Sequence, residues 1–265
     1  MESCTGAFYV LGNEFRRCDH FDPEMFDKGY SIYEVIRIIR SKALFLEEHL
    51  ERLSESVRLS HNYSYRVDHN YFKKIIPQII AKNKRSKGNL KLIIMFPGNG
   101  DPVPCIYLIS YRYPTGNEYK KGITVCLVEA ERNDPNIKKV SPVIHKQTDH
   151  FESLLIDHAG NITEGSKSNV FFIRQNEVIT PPDEIVLKGI TRQKTISIIR
   201  DMKIRLIYAP ISINNLSNMD AVFLTGTSPK ILPVRTINGL HFNVDHPLMR
   251  TIMKKYDEMI EAYVY

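Results

Sequence analysis

The stretch SLLIDHAGNITEGSKSNVFFI, residues 153–173, decides how this chain is read. Ser153–Asp157, Gly160–Ile162 and Asn169–Ile173 are short apolar or alternating runs separated by Asp, Gly, Ser and Asn. Such runs are expected to be β-strands joined by tight turns. The turn before Asn169 is longer than a plain hairpin needs, and it places one carboxylate, Glu164, among small polar residues. A strand-end glutamate is usually solvated. One set among apolar strands stands where it can face a ligand.

The pattern extends outward. Ile123–Val128, Val178–Thr180 and Ala221–Thr225 are expected strands, Thr191–Asp201 a helix preceded by Gly189, and His246–Tyr263 a terminal amphipathic helix opened by Pro247. Tyr113–Gly122 (YPTGNEYKKG) is polar, with one Pro and two Gly, and is expected to link two domains. Before it, Ala7–Leu11, Tyr33–Ile39, Leu90–Phe96 and Ile106–Tyr111 read as strands. Phe45–Leu59 is helical, with Leu46, Leu50, Leu53 and Val57 on one face. A second helix covers about Tyr71–Lys82, where Pro77 calls for a late start or a kink. The class is α+β (α/β, two-domain): an N-terminal α/β domain over 1–113, a link over 114–122 and a C-terminal domain over 123–265.

Composition narrows the function. The 265 residues are 43% hydrophobic, enough for one large core or two modest ones. There is no apolar run long enough for a membrane helix, and no basic region followed by an apolar one at the start, so neither membrane nor secretion is expected. Cys4, Cys18, Cys105 and Cys126 form no C-x-x-C pair or zinc spacing; they read as free thiols in the cytoplasm, with no metal site. Net charge is +6. The densest basic run, Lys82–Lys91, lacks stacking aromatics and reads as a solvated connection, which argues against nucleic acid. The charge suits a phosphorylated or carboxylated small molecule.

Three more stretches carry chemistry. In EEHLERL, residues 47–53, Arg52 has Glu48 at i, i+4 spacing as a surface partner, yet it lies beside the apolar stripe, where its planar fork suits a phosphate. In LKGITR, residues 187–192, the first turn of a helix offers unpartnered N–H groups, to be met by an anion or by a hydroxyl cap from Thr191. In LTGTSP, residues 224–229, two hydroxyls follow a strand.

Taken in order, these stretches, with the Thr-Pro at Thr180–Pro181, resemble the class IV aminotransferases: branched-chain aminotransferase, D-amino acid aminotransferase and aminodeoxychorismate lyase. The resemblance runs from about Tyr33 to Pro233. It implies a fold type IV enzyme with a small N-terminal α/β domain and a larger, β-barrel-like C-terminal domain with helices. The implied cofactor is pyridoxal 5′-phosphate (PLP). By the resemblance, Arg52 holds the phosphate together with Gly189, Ile190, Thr191 and Thr227; Glu164 faces the pyridine nitrogen and Asn169 the phenolic side. The cofactor-bearing lysine is Lys138, in a P-x-x-K setting, with Lys139 the near rival and Lys146 third. Tyr33 and Ser228 line the substrate side. Implied partners are an α-amino acid and a 2-oxo acid, and a second copy of the chain in a homodimer. The leading activity is amino transfer; the alternatives are a lyase of the aminodeoxychorismate type and a catalytically impaired PLP-binding relative. Two features depart from the family. Only 26 positions separate Lys138 from Glu164, with Pro142 in the shortened stretch. Val143 stands where branched-chain enzymes carry a tyrosine, and Met95-Phe-Pro-Gly98 stands where several relatives carry arginine.

Overall fold

The structure is a computed structural model that describes residues 3–27, 29–60, 65–97, 100–132, 134–139 and 151–265. They form two compact units. The first gathers the described residues of Met1–Arg112, Ile137–Ser141 and Ala262–Tyr265; the second gathers those of Tyr113–Asn136 and Pro142–Glu261. The contents are α+β in both. Pro142, Val143, Lys146 and Gly98 lie outside the described residues.

The first unit contains β1 (Phe8–Leu11), β2 (Glu14–Arg17), β3 (Gly29–Ile39), β4 (Lys42–Ala43), α1 (Leu46–Leu59), α2 (His69–Lys82), β5 (Lys87–Pro97) and β6 (Val103–Ile109). Among the described residues they make a six-stranded sheet in the order β2-β1-β6-β5-β3-β4. Its longest ladder joins β3 to β5, antiparallel from Gly29↔Pro97 to Ile39↔Lys87. Side chains alternate along a strand, so Ile32, Glu34, Ile36 and Ile38 share one face, and all four are buried. The isoleucines pack with Leu46, Leu50, Leu53 and Val57 of α1 and with Phe72, Ile75, Ile76, Ile79 and Ile80 of α2. Each such side chain contributes about 1.5–3 kcal/mol when fully buried.

Local chemistry fixes the ends of the two helices. α2 begins at His69, earlier than its apolar periodicity suggests, because Asp68 caps it by accepting from the Tyr71 N–H. It runs on through Pro77, which sits on the exposed face where water can serve the carbonyl left without its N–H partner. At its far end, the Asn83 amide accepts from the N–H groups of Ala7 and Phe8 and donates to the Phe8 carbonyl, joining α2 to β1. α1 has no side-chain cap of its own: Phe45 precedes it with φ 53°. Tyr263 substitutes, its hydroxyl accepting from Leu46 N–H at 3.1 Å and donating to Glu47 at 3.0 Å, with its ring against Phe45.

Two expectations are corrected here. Cys4 and Cys18 are disulfide-bonded; only Cys105 and Cys126 are free among the cysteines. The β1–β2 hairpin and the Cys18 N–H bond to the Ala7 carbonyl bring the two thiols across from each other, a proximity that spacing alone does not encode. The Lys82–Lys91 run is not simply a solvated connection. Lys82 lies 4.3 Å from the Phe8 ring, and Lys91 is buried in β5.

The second unit opens with α3 (Gly116–Lys121), a short helix inside the polar segment, held by a capping box between Thr115 and Glu118. Then come β7 (Ile123–Glu129), β8 (Ser153–Ile156), β9 (Asn161–Gly165), β10 (Asn169–Arg174), β11 (Glu177–Thr180), α4 (Ile190–Asp201), β12 (Arg205–Tyr208), β13 (Ile211–Ser212), β14 (Ala221–Gly226), β15 (Lys230–Ile237), β16 (Leu240–His241) and α5 (Pro247–Val264), whose end from Ala262 belongs to the first unit. The strands follow the path β12-β11-β10-β14-β15-β7-β8-β9-β13, with β16 beside β15. β15 lies in the middle of this sheet although Pro233 argues against a central strand. The conflict is resolved by position: β7 begins to pair with β15 at Val234, one residue later. One face of the sheet carries Val170, Phe172, Val222 and Leu224 in the main core. The other carries the stacked rings of Phe171 and Phe223, with Asn169 and Thr225 facing each other across β10 and β14. No described helix is long and apolar enough to cross a membrane.

Replacing Tyr263 with Phe keeps the ring contact and removes the cap, and is expected to lower stability by about 1 kcal/mol, measured by urea unfolding.

Candidate active site

The functional residues of the first unit are set by two consecutive residues of β3. Tyr33 gives its backbone N–H to the Lys138 carbonyl at 2.9 Å, and Ile32 bridges to Lys139. Lys138 N–H in turn meets the Ser56 hydroxyl of α1 at 3.4 Å. The chain at 138 is therefore held by the edge of β3, and the Lys138 ammonium lies 4.8 Å from the centre of the Tyr33 ring. A second ammonium, that of Lys91, lies 4.7 Å from the same ring. Tyr33 thus gathers two cations, the arrangement in which an aromatic face attracts positive charge.

Glu34, the next residue, points the other way, into the core. It is 0% exposed. Arg52 Nε donates to its Oε1 at 2.8 Å and Arg52 Nη2 to its Oε2 at 2.6 Å. His49 Nδ1 reaches the same Oε2 at 2.7 Å. Arg52 is thus an almost buried guanidinium whose anion is supplied by the protein itself. Burial pushes the Glu34 carboxyl up, but Arg52 and His49 together outweigh it and hold it at about 2. Burial pulls the His49 imidazole down, beyond what its contact with Glu34 restores. His49 is accordingly the neutral member of the cluster, donating from Nδ1.

In the second unit, three segments meet. The first is the turn between β9 and β10. Gly165 N–H bonds the Ser168 carbonyl at 2.7 Å, and the buried Glu152 accepts from Ser153 N–H, Lys167 N–H and the Ser166 and Ser168 hydroxyls. Glu164 leaves this turn buried. Its Oε2 accepts from Asn169 Nδ2 at 3.2 Å and from Leu187 N–H at 3.1 Å, and its Oε1 lies 2.6 Å from Arg132 Nε. Arg132 also donates to the Ser166 carbonyl. The second segment is the start of α4. Gly189 is its N-cap, with no side-chain cap, and a Cβ there would stand 2.2 Å from Asn169 Oδ1. The hydroxyl cap from Thr191 is therefore not formed: Thr191 sits inside the first turn, 3.3 Å from the Tyr256 hydroxyl of α5. The third segment is the turn after β14, carrying Thr227 and Ser228. It comes beside the first, since a Cβ on Gly226 would lie 3.4 Å from the Lys167 carbonyl. Thr225, which pairs with Asn169, has a buried hydroxyl without a hydrogen-bond partner among the described residues.

Sequence motifs thus converge within each unit: Tyr33 with Lys138 in the first; Glu164, Asn169, Gly189 and the Thr225–Ser228 turn in the second. Asn169 directs its amide to Glu164 and to the Leu187 carbonyl. Unforeseen participants are Glu34, His49, Lys91, Arg132, Glu152 and Thr225.

Compared with known protein families, residues 31–237 match the family described as amino-transferase class IV. The chain belongs to the class IV aminotransferases. It is 29% identical to a probable branched-chain-amino-acid aminotransferase of Aquifex aeolicus over 81% of this chain and 78% of that one. It is 27% identical to a D-alanine aminotransferase of Bacillus licheniformis over 80% and 82%. Its fold matches a T.th. branched-chain amino acid aminotransferase, solved with N-(5′-phosphopyridoxyl)-L-glutamate, with a TM-score of 0.83 at 17% identity, covering 98% of this chain and 96% of that one. This class IV member is thus an enzyme with the fold type IV architecture. The matched residues run from β3 to β15.

The two depressed pKa values in this aminotransferase have the same sign. In each case the unfolded chain binds more protons, so stability rises with pH across the window. It should be complete above the ordinary histidine value of 6.5 and fall as pH drops through the lowered His49 value. It should fall again from 4.5 to about 2 as Glu34 takes up a proton. The second loss is about 3 kcal/mol. Chemical denaturation at stepped pH checks both limbs, and His49→Gln should remove the upper one.

Proposed function

We propose that this chain is a PLP-dependent aminotransferase that moves an amino group between an α-amino acid and a 2-oxo acid, with Lys138 carrying the cofactor. The carrying observation is the meeting, in the second unit, of a buried and oriented carboxylate, an α4 start with no side-chain cap and a buried hydroxyl lacking a partner among the described residues. Gly189 lets Asn169 pack against the start of α4, where a Cβ would stand 2.2 Å from its Oδ1. These are the features an anionic, ring-shaped cofactor needs, and they fit PLP. When bound, PLP acts as an electron sink for the carbanion formed at the substrate Cα.

The remaining work belongs to the protein. The first N–H groups of α4 at Ile190 and Thr191, with the Thr227 hydroxyl, hold a phosphate, aided by the positive end of the helix dipole. Arg52 contributes a charge-assisted donor. Glu164, fixed by Asn169 and Leu187, keeps a proton on a pyridine nitrogen, because a nearby carboxylate favours the charged form. Arg132 prevents that carboxylate from turning away. Lys138 Nζ takes the substrate Cα proton as general base and returns it as general acid. Tyr33, beside Lys138, and Ser228 bound the substrate side. We assign the active form to a homodimer.

The purified protein should show a visible absorption band that is absent from Lys138→Ala. Borohydride reduction and peptide mapping should find the label on Lys138; a label on Lys139 or Lys146 would reassign the role. Amino donors supplied with 2-oxoglutarate should yield glutamate, whereas pyruvate from aminodeoxychorismate would make the chain a lyase. Light scattering giving a strict monomer would remove the dimer.

A further inference from the structure

We propose that the Cys4–Cys18 disulfide is a redox-sensitive latch: a dithiol that reduces it releases residues 18–27 from the aromatic face of the first unit's sheet. This is the face turned away from α1 and α2, where Tyr9, Ile93, Cys105 and Tyr107 are buried. Its cover is a strap, residues 18–27, with two short 3-10 turns, Cys18–His20 and Pro23–Asp27. Phe21 meets Tyr9 edge-on at 5.1 Å and Tyr107 at 4.7 Å, and Phe26 stacks on Tyr107 at 5.7 Å.

Three observations give the disulfide this part. First, the strap's own backbone bonds are short-range: the Phe21 N–H donates to the Cys18 carbonyl and the Met25 N–H to that of Asp22. Onto the sheet it lays side chains, together with the His20 carbonyl, which accepts from the Tyr9 hydroxyl at 3.5 Å. Second, the strap leaves β2, whose four residues are all exposed, so burial does little to hold that strand against β1. The hairpin is tied at its tip, where the Tyr71 hydroxyl donates to the Gly12 carbonyl. The disulfide closes the opposite, open end, beside the Cys18 N–H bond to Ala7. Third, Cys4 is a fixed post. Thr5 next to it donates its N–H to the Leu108 carbonyl of β6 at 2.8 Å and accepts from Arg85 at 2.7 Å. The bond thus joins the root of the strap to a strand inside the sheet. Both cysteines are half-buried, within reach of a small reductant.

The chemistry is thiol–disulfide exchange. A thiolate of the dithiol attacks one sulfur of the pair, the Cys4–Cys18 bond breaks and a mixed disulfide forms. The second thiol of the reagent then displaces the protein sulfur. Two electrons and two protons pass to the protein, which holds two thiols, and the dithiol becomes a disulfide. Without the tie, the hairpin frays from its open end and the strap lifts as a local unit. Cys105, in the face beneath, reports the change. Burial pushes its thiol up to about 12, so under the closed strap it is both shielded and protonated.

The test alkylates the full-length native protein with iodoacetamide and follows each cysteine by peptide mass spectrometry. Air-oxidised wild type is compared with wild type reduced by dithiothreitol and freed of the reagent under argon, and with Cys4→Ser/Cys18→Ser, which needs no reductant. In both open forms Cys105 should be labelled at least about tenfold faster than in the oxidised protein. Cys126, a free thiol of the second unit, should keep its rate. Reoxidation should restore slow labelling of Cys105 in wild type. Unchanged labelling of Cys105 would overturn the inference, as would acceleration in only one of two folded open forms. Equal acceleration at Cys105 and Cys126 would mark general unfolding and also overturn it. Mapping that finds Cys4 and Cys18 unpaired after air oxidation would remove the latch outright. Should the double variant not fold, as circular dichroism reports, reduced wild type decides by the same criteria.

Discussion

A carboxylate on the inner face of a strand must be answered by a cation, and that demand joins the sheet of the first unit to its first helix. Glu34 stands among isoleucines of β3, with no water to share its charge. Arg52 and His49, three residues apart on α1, turn the same side of the helix toward it. Removing either charged partner would leave the other buried and uncompensated, a defect that costs about 3–5 kcal/mol in proteins generally. The register of β3 against β5 and the seating of α1 are thus bound to one contact. The placement of Arg52 follows from both.

The second unit uses the same principle with backbone groups. Glu152 is surrounded by two N–H groups and by the two serine hydroxyls of the turn it supports. Its role is to give a loop of small residues a fixed shape. Glu164, on the strand that enters this turn, is then delivered to Asn169, Leu187 and Arg132. One buried carboxylate shapes the turn and the next is displayed by it.

Much of this was legible in the sequence, for definable reasons. α1 and α2 announce themselves by apolar spacing, and the strands from β7 to β11 by short apolar runs between turn residues. β2 escapes such a reading because all four of its residues are exposed and no alternation marks it. β15 is hidden by Pro233. The Cys4–Cys18 bond depends on a hairpin whose second strand carries no signal of its own. Glu34 was readable: Ile32, Glu34, Ile36 and Ile38 alternate, and a charge at an inward position requires a partner. Its signal lay in the phase of the strand and not in any motif. Lys91 was masked by its surface-like neighbours. The family motifs located Arg52 and Glu164, but not the residues that hold them still.

The segment at 137–139 has a consequence beyond carrying a lysine. Among the described residues, β4 pairs with β3 only at Ile38 and Ile39, which leaves the earlier part of β3 as a sheet margin carrying Ile32, Val35 and Ile36. The bridge at Ile32 and the bond from Tyr33 occupy part of that margin. An uncovered margin of this composition is a template on which other chains add strands and aggregate. By lying along it, the lysine segment also blocks strand addition at Ile32 and Tyr33, so one short stretch both presents a lysine and closes a sheet edge.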